Sequence, residues 1–160
     1  MDLLRFILRN FEELVAGVFM VLMSLATFLN VVARYLFSNP IPWAEEFSRY
    51  AFIWLVFMGA VVATKRKKHI IIEALLIFLP RPIRSFFLVT ADIATLALMA
   101  VMVHYGWVLT LSANQPTSTL KVPQYVVYVV VPIAGLLIIL YSLGDLRQNV
   151  RRAFSGGEEL

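Results

Sequence analysis

The chain of 160 residues has no cysteine, which excludes disulfides and thiolate-held metal centres. Histidine is nearly absent too, with two residues, His69 and His104. Charge is scarce: Asp, Glu, Lys and Arg together make up 15% of the residues, where a soluble domain carries about one quarter. No nucleophile motif, phosphate-binding loop, metal-ligand cluster or glycine-rich nucleotide fingerprint occurs, so nothing in the sequence points to enzyme chemistry. Internal repeats and low-complexity tracts are also missing. The formal charge of +4 is not a nucleic-acid signal, because the basic residues sit beside apolar runs, as membrane topology determinants do.

What the chain does have is hydrophobicity, 61% of its residues. At 1.5 Å per residue, about 20 apolar residues cross the hydrocarbon core of a bilayer as a helix. Four runs qualify: 14–33, 43–64, 85–111 and 122–143. The first is longer than the apolar part of a secretory signal, and no Ala-x-Ala site follows it, which predicts a retained span. The second becomes purely apolar only after Tyr50, so its first two turns belong to the membrane interface. The third exceeds the core thickness, which predicts a tilt. Pro132 lies inside the fourth and predicts a kink. The expected fold is therefore one all-α membrane domain of four transmembrane helices, with the tail 155–160 outside it and disordered.

A fifth apolar piece, "HIIIEALLIFLP" (69–80), is too short to span. His69 and Glu73 fall four apart on one face, and Pro80 and Pro82 stop the segment. It reads as an interfacial helix over about 69–79, or alternatively as a buried turn of the chain's own bundle. Orientation follows from Lys and Arg. Eleven lie on the side of the N-terminus, the 65–84 segment and the C-terminal tail, against Arg34, Arg49 and Lys121 on the other side. The positive-inside rule puts both termini in the cytoplasm and the stretch "RYLFSNPIPWAEEFSRY" (34–50) outside.

That stretch is the most polar connection between apolar runs on its side of the membrane. Pro42 suits a first helical position, with Ser38 or Asn39 near the cap. Glu45 and Glu46 then meet the positive end of the helix dipole. Glu45 precedes Arg49 by four residues, the favoured order for an ion pair, and Glu46 is spaced to share the same arginine. Tyr35, Trp43 and Tyr50 are amphipathic rings suited to the headgroup level. Arg34 ends the first span, with Asn30 on the same face. Two readings stand side by side. The elbow is a well-anchored helix start with snorkelling arginines, or its charges meet another protein, since charge facing lipid is expensive.

Within the spans, Ser24, Thr27 and Asn30, the alanines 91, 94 and 97, and the pair Gly59 and Ala63 are small or hydroxyl residues that permit close helix packing. They serve the chain's own bundle or a second subunit. Asp92 is the one acid well inside a span. A lone carboxylate makes a poor ion relay, so a structural pair with a base of the 65–84 segment, or with a partner, is expected. His69 and His104 fall on opposite sides of the membrane and cannot ligate one haem or metal together.

"NVVARYLF" (30–37), "PWAEE" (42–46), "WLVFMGAVVATKRKKHI" (54–70) and "PTSTLKVPQYVVYVVVPIAG" (116–135) together resemble the small membrane subunit of the tripartite ATP-independent periplasmic (TRAP) transporters. The resemblance runs from about residue 14 to 143. It falls on Arg34, Tyr35, Trp43, Glu45, Glu46, Gly59, His69, Pro123 and Pro132, with Glu73 standing where the family often has an aspartate. It implies a non-catalytic subunit of the bacterial inner membrane that carries no cofactor. It implies two protein partners: a large multi-span permease subunit holding the substrate and sodium sites, and a periplasmic solute-binding protein that delivers an organic acid such as a dicarboxylate or a sialic or sugar acid. The small subunit would scaffold the moving large subunit and help dock the binding protein. Arg34, Tyr35, Trp43, Glu45, Glu46, Arg49, His69, Glu73 and Asp92 are the candidate partner-contact residues. The competing expectations are a membrane anchor of an electron-transfer enzyme and an autonomous oligomeric exporter coupled through Asp92.

Overall fold

The computed structural model describes residues 10–66 and 81–154. The interfacial helix expected over 69–79, with His69 and Glu73, lies outside the described residues, as does the tail 155–160. Among the described residues there are five helices: α1 (Phe11–Phe37), α2 (Pro42–Lys65), α3 (Arg81–Ser112), α4 (Tyr125–Tyr128) and α5 (Val130–Phe154). Four segments of the described residues are long and apolar enough to cross a membrane: Phe11–Phe37, Pro42–Lys65, Phe87–Ser112 and Tyr125–Arg147. They coincide with the four expected spans. Among the described residues there is no β-strand, only an isolated bridge between Pro116 and Pro123.

The helices form a row, not a closed bundle. α1 packs on α2, α2 on α5, and α5 on α3, so α1 and α3 are the flanks. The two flanking spans bury almost none of their apolar surface within the chain, while α5 buries the most. This arrangement follows from the solvent. Between lipid tails there is no hydrophobic force pressing helices together, so contact forms where side chains interlock or hydrogen-bond, and remaining apolar surface stays outward at no cost. The core is accordingly small: Val61 of α2 with Ala134 and Ile138 of α5, flanked by Phe57, Met99, Leu137 and Tyr141. On α2 the sealed residues Ala44, Ala51 and Met58 recur every seven positions, two helical turns apart.

α3 and α5 approach closely at two glycines. A Cβ on Gly106 would stand 2.9 Å from Val131 Cγ1 and 3.2 Å from Pro132 Cδ; one on Gly135 would stand 2.7 Å from Val103 Cγ2. The backbones therefore come together only because neither position has a side chain. Gly17 and Gly59, by contrast, face open space. α1 and α2 are joined by a hydroxyl pair, Thr27 Oγ1 and Ser48 Oγ at 3.1 Å, and by Phe19 stacked on Trp54 with centroids 5.2 Å apart.

The fourth span is interrupted at Val129, between α4 and α5. Val129 N donates to Tyr125 O at 2.9 Å and Ile133 N to Val129 O at 3.3 Å, so the ladder continues on both sides. The rung that proline cannot make runs from position 132 to the Tyr128 carbonyl. The expected kink is thus a break three residues before Pro132.

Candidate functional site

Two hydrogen-bonded clasps close opposite ends of the row, and each is built around a glutamate. At the first end, Glu12 and Glu13 lie in the first turn of α1, where the helix dipole favours negative charge. Glu12 is buried at 7% exposure. Its Oε2 accepts from Lys65 Nζ at 2.7 Å, at the end of α2. Its Oε1 accepts from the Tyr141 hydroxyl of α5 at 2.6 Å. One carboxylate therefore ties three helices. Beside it, Arg66 donates through Nε to Glu13 Oε1 at 3.0 Å and through Nη2 to Oε2, a bidentate pair at the surface. These hydrogen bonds raise the Arg66 guanidinium above its ordinary pKa.

At the other end, α1 closes with Ser38 in the left-handed region (φ 49°) and Asn39 N donating to Ala33 O at 3.3 Å, a Schellman-type stop. Pro42 opens α2 as expected. Its cap is Ile41, with no side-chain cap, so the expected capping by Ser38 or Asn39 does not occur. Instead Asn30 of α1 accepts the Ile41 N–H through Oδ1 at 2.9 Å. The polar stripe of the first span thus has a task within the chain.

Glu45 and Arg49 form the expected i,i+4 pair at 3.3 Å, with both side chains largely exposed. Glu46 does not share that arginine. Its Oε1 accepts from the Tyr50 hydroxyl at 2.8 Å, and its Oε2 accepts from the backbone N–H of Thr119 at 2.7 Å and of Leu120 at 3.1 Å. It binds the connection between α3 and α4, more than seventy residues away. The competition is decided by desolvation: two backbone N–H groups without another partner hold a carboxylate more firmly than an exposed, hydrated guanidinium does.

The same connection, 113–124, is folded on itself. Thr117, 1% exposed, donates through N to Val122 O at 2.9 Å and accepts from Val122 N through Oγ1 at 3.1 Å. Gln124 N donates to Gln115 O and Tyr125 N to Ala113 O.

Of the remaining candidates, Arg34 and Tyr35 are exposed on the last turns of α1, Tyr35 at 79%. Trp43 is half-exposed and edge-on to Phe47, with centroids 6.5 Å apart. Asp92 of α3 accepts from Asn149 Nδ2 of α5 at 2.7 Å. This acid thus has a neutral amide partner on α5; the bases Lys67, Lys68, Arg81 and Arg84 expected as its counterparts have side chains outside the described residues. His104 is exposed and edge-on to Tyr105. Sequence reasoning missed Glu12, Glu13, Tyr141 and Asn149. A signal for the first two was present. In two antiparallel helices joined by a short elbow, acids in the first turn of the first and bases at the end of the second lie about equally far from the turn and come together.

Among the described residues no group of acids and histidines is placed to hold a metal, and no buried side-chain polar atom lacks a hydrogen-bond partner. The polar groups inside the spans close internal bonds, as Thr95 does on Ala91 O and Thr110 on Gly106 O. The arrangement can brace helices and present two polar ends. Residues 23–152 match the family model described as "Tripartite ATP-independent periplasmic transporters, DctQ component". The chain belongs to this family. It is thus the small permease component of a TRAP transporter, an inner-membrane protein of a non-enzymatic class.

Relatives agree along the length of this TRAP subunit. A TRAP transporter small permease protein of Haemophilus influenzae is 36% identical over 158 residues, covering 97% of this chain and 96% of that protein. The C4-dicarboxylate TRAP transporter small permease protein DctQ of Vibrio cholerae is 35% identical over 98 residues, 61% of this chain and 42% of that one. The isethionate TRAP transporter permease protein DctMQ of Oleidesulfovibrio alaskensis is 28% identical over 151 residues, which is 89% of this chain but 24% of the relative.

Proposed function

We propose that this subunit is the static scaffold of a sodium-driven organic-acid importer. It braces a large multi-span permease partner and offers its elbow end, facing the periplasm, to a solute-binding protein. The observation that carries the reading is the open row. Four membrane-length helices leave their flanks almost wholly unburied, yet their described internal polar groups are all satisfied. Such a chain has a large surface for lipid and for a neighbouring subunit, and among its described residues no chamber of unpaired polar groups in which a solute would sit. On this reading the sodium and substrate sites belong to the partner. The long relative DctMQ, of which this chain matches about a quarter, supports a permease in which a small component works with a much larger part.

The test is reconstitution. Proteoliposomes holding this chain alone should accumulate no organic acid under a sodium gradient. Vesicles with the chain, its large partner and the binding protein should accumulate it, and omission of this chain should abolish uptake or assembly. Accumulation by the chain alone would refute the scaffold role and favour the exporter.

A further inference from the structure

The hairpin at 116–123 is held more firmly than a connection between two helices requires. Its base is the Pro116–Pro123 bridge. Its interior is the Thr117–Val122 pair of hydrogen bonds. Its far side is fixed by two amides on Glu46. At its tip Lys121 adopts φ 55°, a left-handed conformation that glycine or asparagine adopts with less strain. A lysine there is unfavourable for the backbone alone, and strain retained at an exposed tip points to a use for the side chain. Ser118, Thr119 and Lys121 are all exposed.

The charge at this end is one-sided. Glu46 is turned onto the hairpin amides, and Glu45 is matched by Arg49. Arg34 and Lys121 are both exposed, and among the described residues neither makes an ion pair. The face is therefore net cationic. We propose that the 116–123 hairpin is a preorganised docking element, with Lys121 at its tip, for an acidic patch on the solute-binding protein. This deepens the function proposed above and rests on its orientation. A structured protein surface is favoured over lipid headgroups for a physical reason. Fixing a loop in advance lowers the ordering cost of meeting a rigid surface, and gives nothing against mobile headgroups. The hairpin 116–123 carries no aromatic ring of the kind that anchors at headgroups.

The experiment uses the assembled complex of this chain and its large partner in zwitterionic nanodiscs, with the transporter's purified solute-binding protein as probe. Association and dissociation rates are measured from about 50 to about 300 mM NaCl. Lys121→Glu should weaken docking about tenfold at low salt and flatten its salt dependence. Lys121→Gly, which relieves the strained φ and so keeps the fold, should weaken it about threefold or more, and Lys121→Arg should retain it. Docking unaltered by both Lys121→Glu and Lys121→Gly overturns the proposal. So does an effect of these variants on binding of added anionic lipid vesicles without one on docking. A wild-type complex that docks no binding protein at all refutes the docking half of the proposed function together with it.

Discussion

Tyr141 and Glu12, separated by 129 residues, share a 2.6 Å hydrogen bond that joins the start of the first span to the last. Because Lys65 binds the other oxygen of the same carboxylate, three helices meet at one group. The row has few apolar contacts to hold it, so this end depends on a polar knot. A buried, charge-assisted network of this kind is costly to break at one member.

Glu12→Ala should accordingly lower stability by about 2–3 kcal/mol, and Tyr141→Phe by about 1 kcal/mol. Unfolding of the purified chain in mixed micelles by titrated SDS reads both. The pair should also couple: the double variant should be less destabilised than the sum by about 1 kcal/mol. Strict additivity would show that the bond contributes nothing of its own. Glu13→Ala, which breaks the exposed pair with Arg66, should have a smaller effect that vanishes with added salt.

Four of the five described glycines of the long helices should separate into two classes under the same assay. Gly106→Ala and Gly135→Ala force a methyl against Val131, Pro132 or Val103 and should each cost about 1–3 kcal/mol by overpacking. Gly17→Ala and Gly59→Ala meet nothing and should be neutral or slightly stabilising in the isolated chain. Equal behaviour of all four would contradict the α3–α5 contact described above. An effect of Gly59→Ala that appears only in the assembled transporter would place that face against the large subunit.

Asp92 distinguishes the scaffold from an autonomous exporter. Asparagine at 92 keeps an oxygen for the Asn149 amide, so Asp92→Asn should leave assembly intact and uptake within about twofold of wild type. Asp92→Leu removes the acceptor and should destabilise the α3–α5 contact by about 1 kcal/mol. Loss of all transport in Asp92→Asn with a normally assembled complex would mean that the carboxylate takes part in coupling.

Much of this architecture was legible in the residue order. Apolar run length sets the number of spans, because each backbone polar group in lipid must be satisfied within its own helix. Pro42, Pro132 and the Glu45–Arg49 spacing act through local geometry, which a sequence encodes directly, and each appears where the pattern put it. The bond of Glu46 to Thr119 and Leu120, and that of Asp92 to Asn149, were not legible. Each glutamate or aspartate had several possible partners at suitable depth, and choosing among them needs the order of helices in the row.

By itself, then, the sequence determined a four-span, cysteine-free membrane protein with a charged elbow and an asymmetric distribution of bases. These follow from one-dimensional properties: hydropathy, length and charge along the chain. Only the tertiary structure decided that α2 and α5 are central, that α3 and α5 pack closely at Gly106 and Gly135, and which carboxylate clasps which helix. In lipid the hydrophobic effect does not choose between helix neighbours, so that choice rests on small shape and hydrogen-bond differences between residues far apart in the chain.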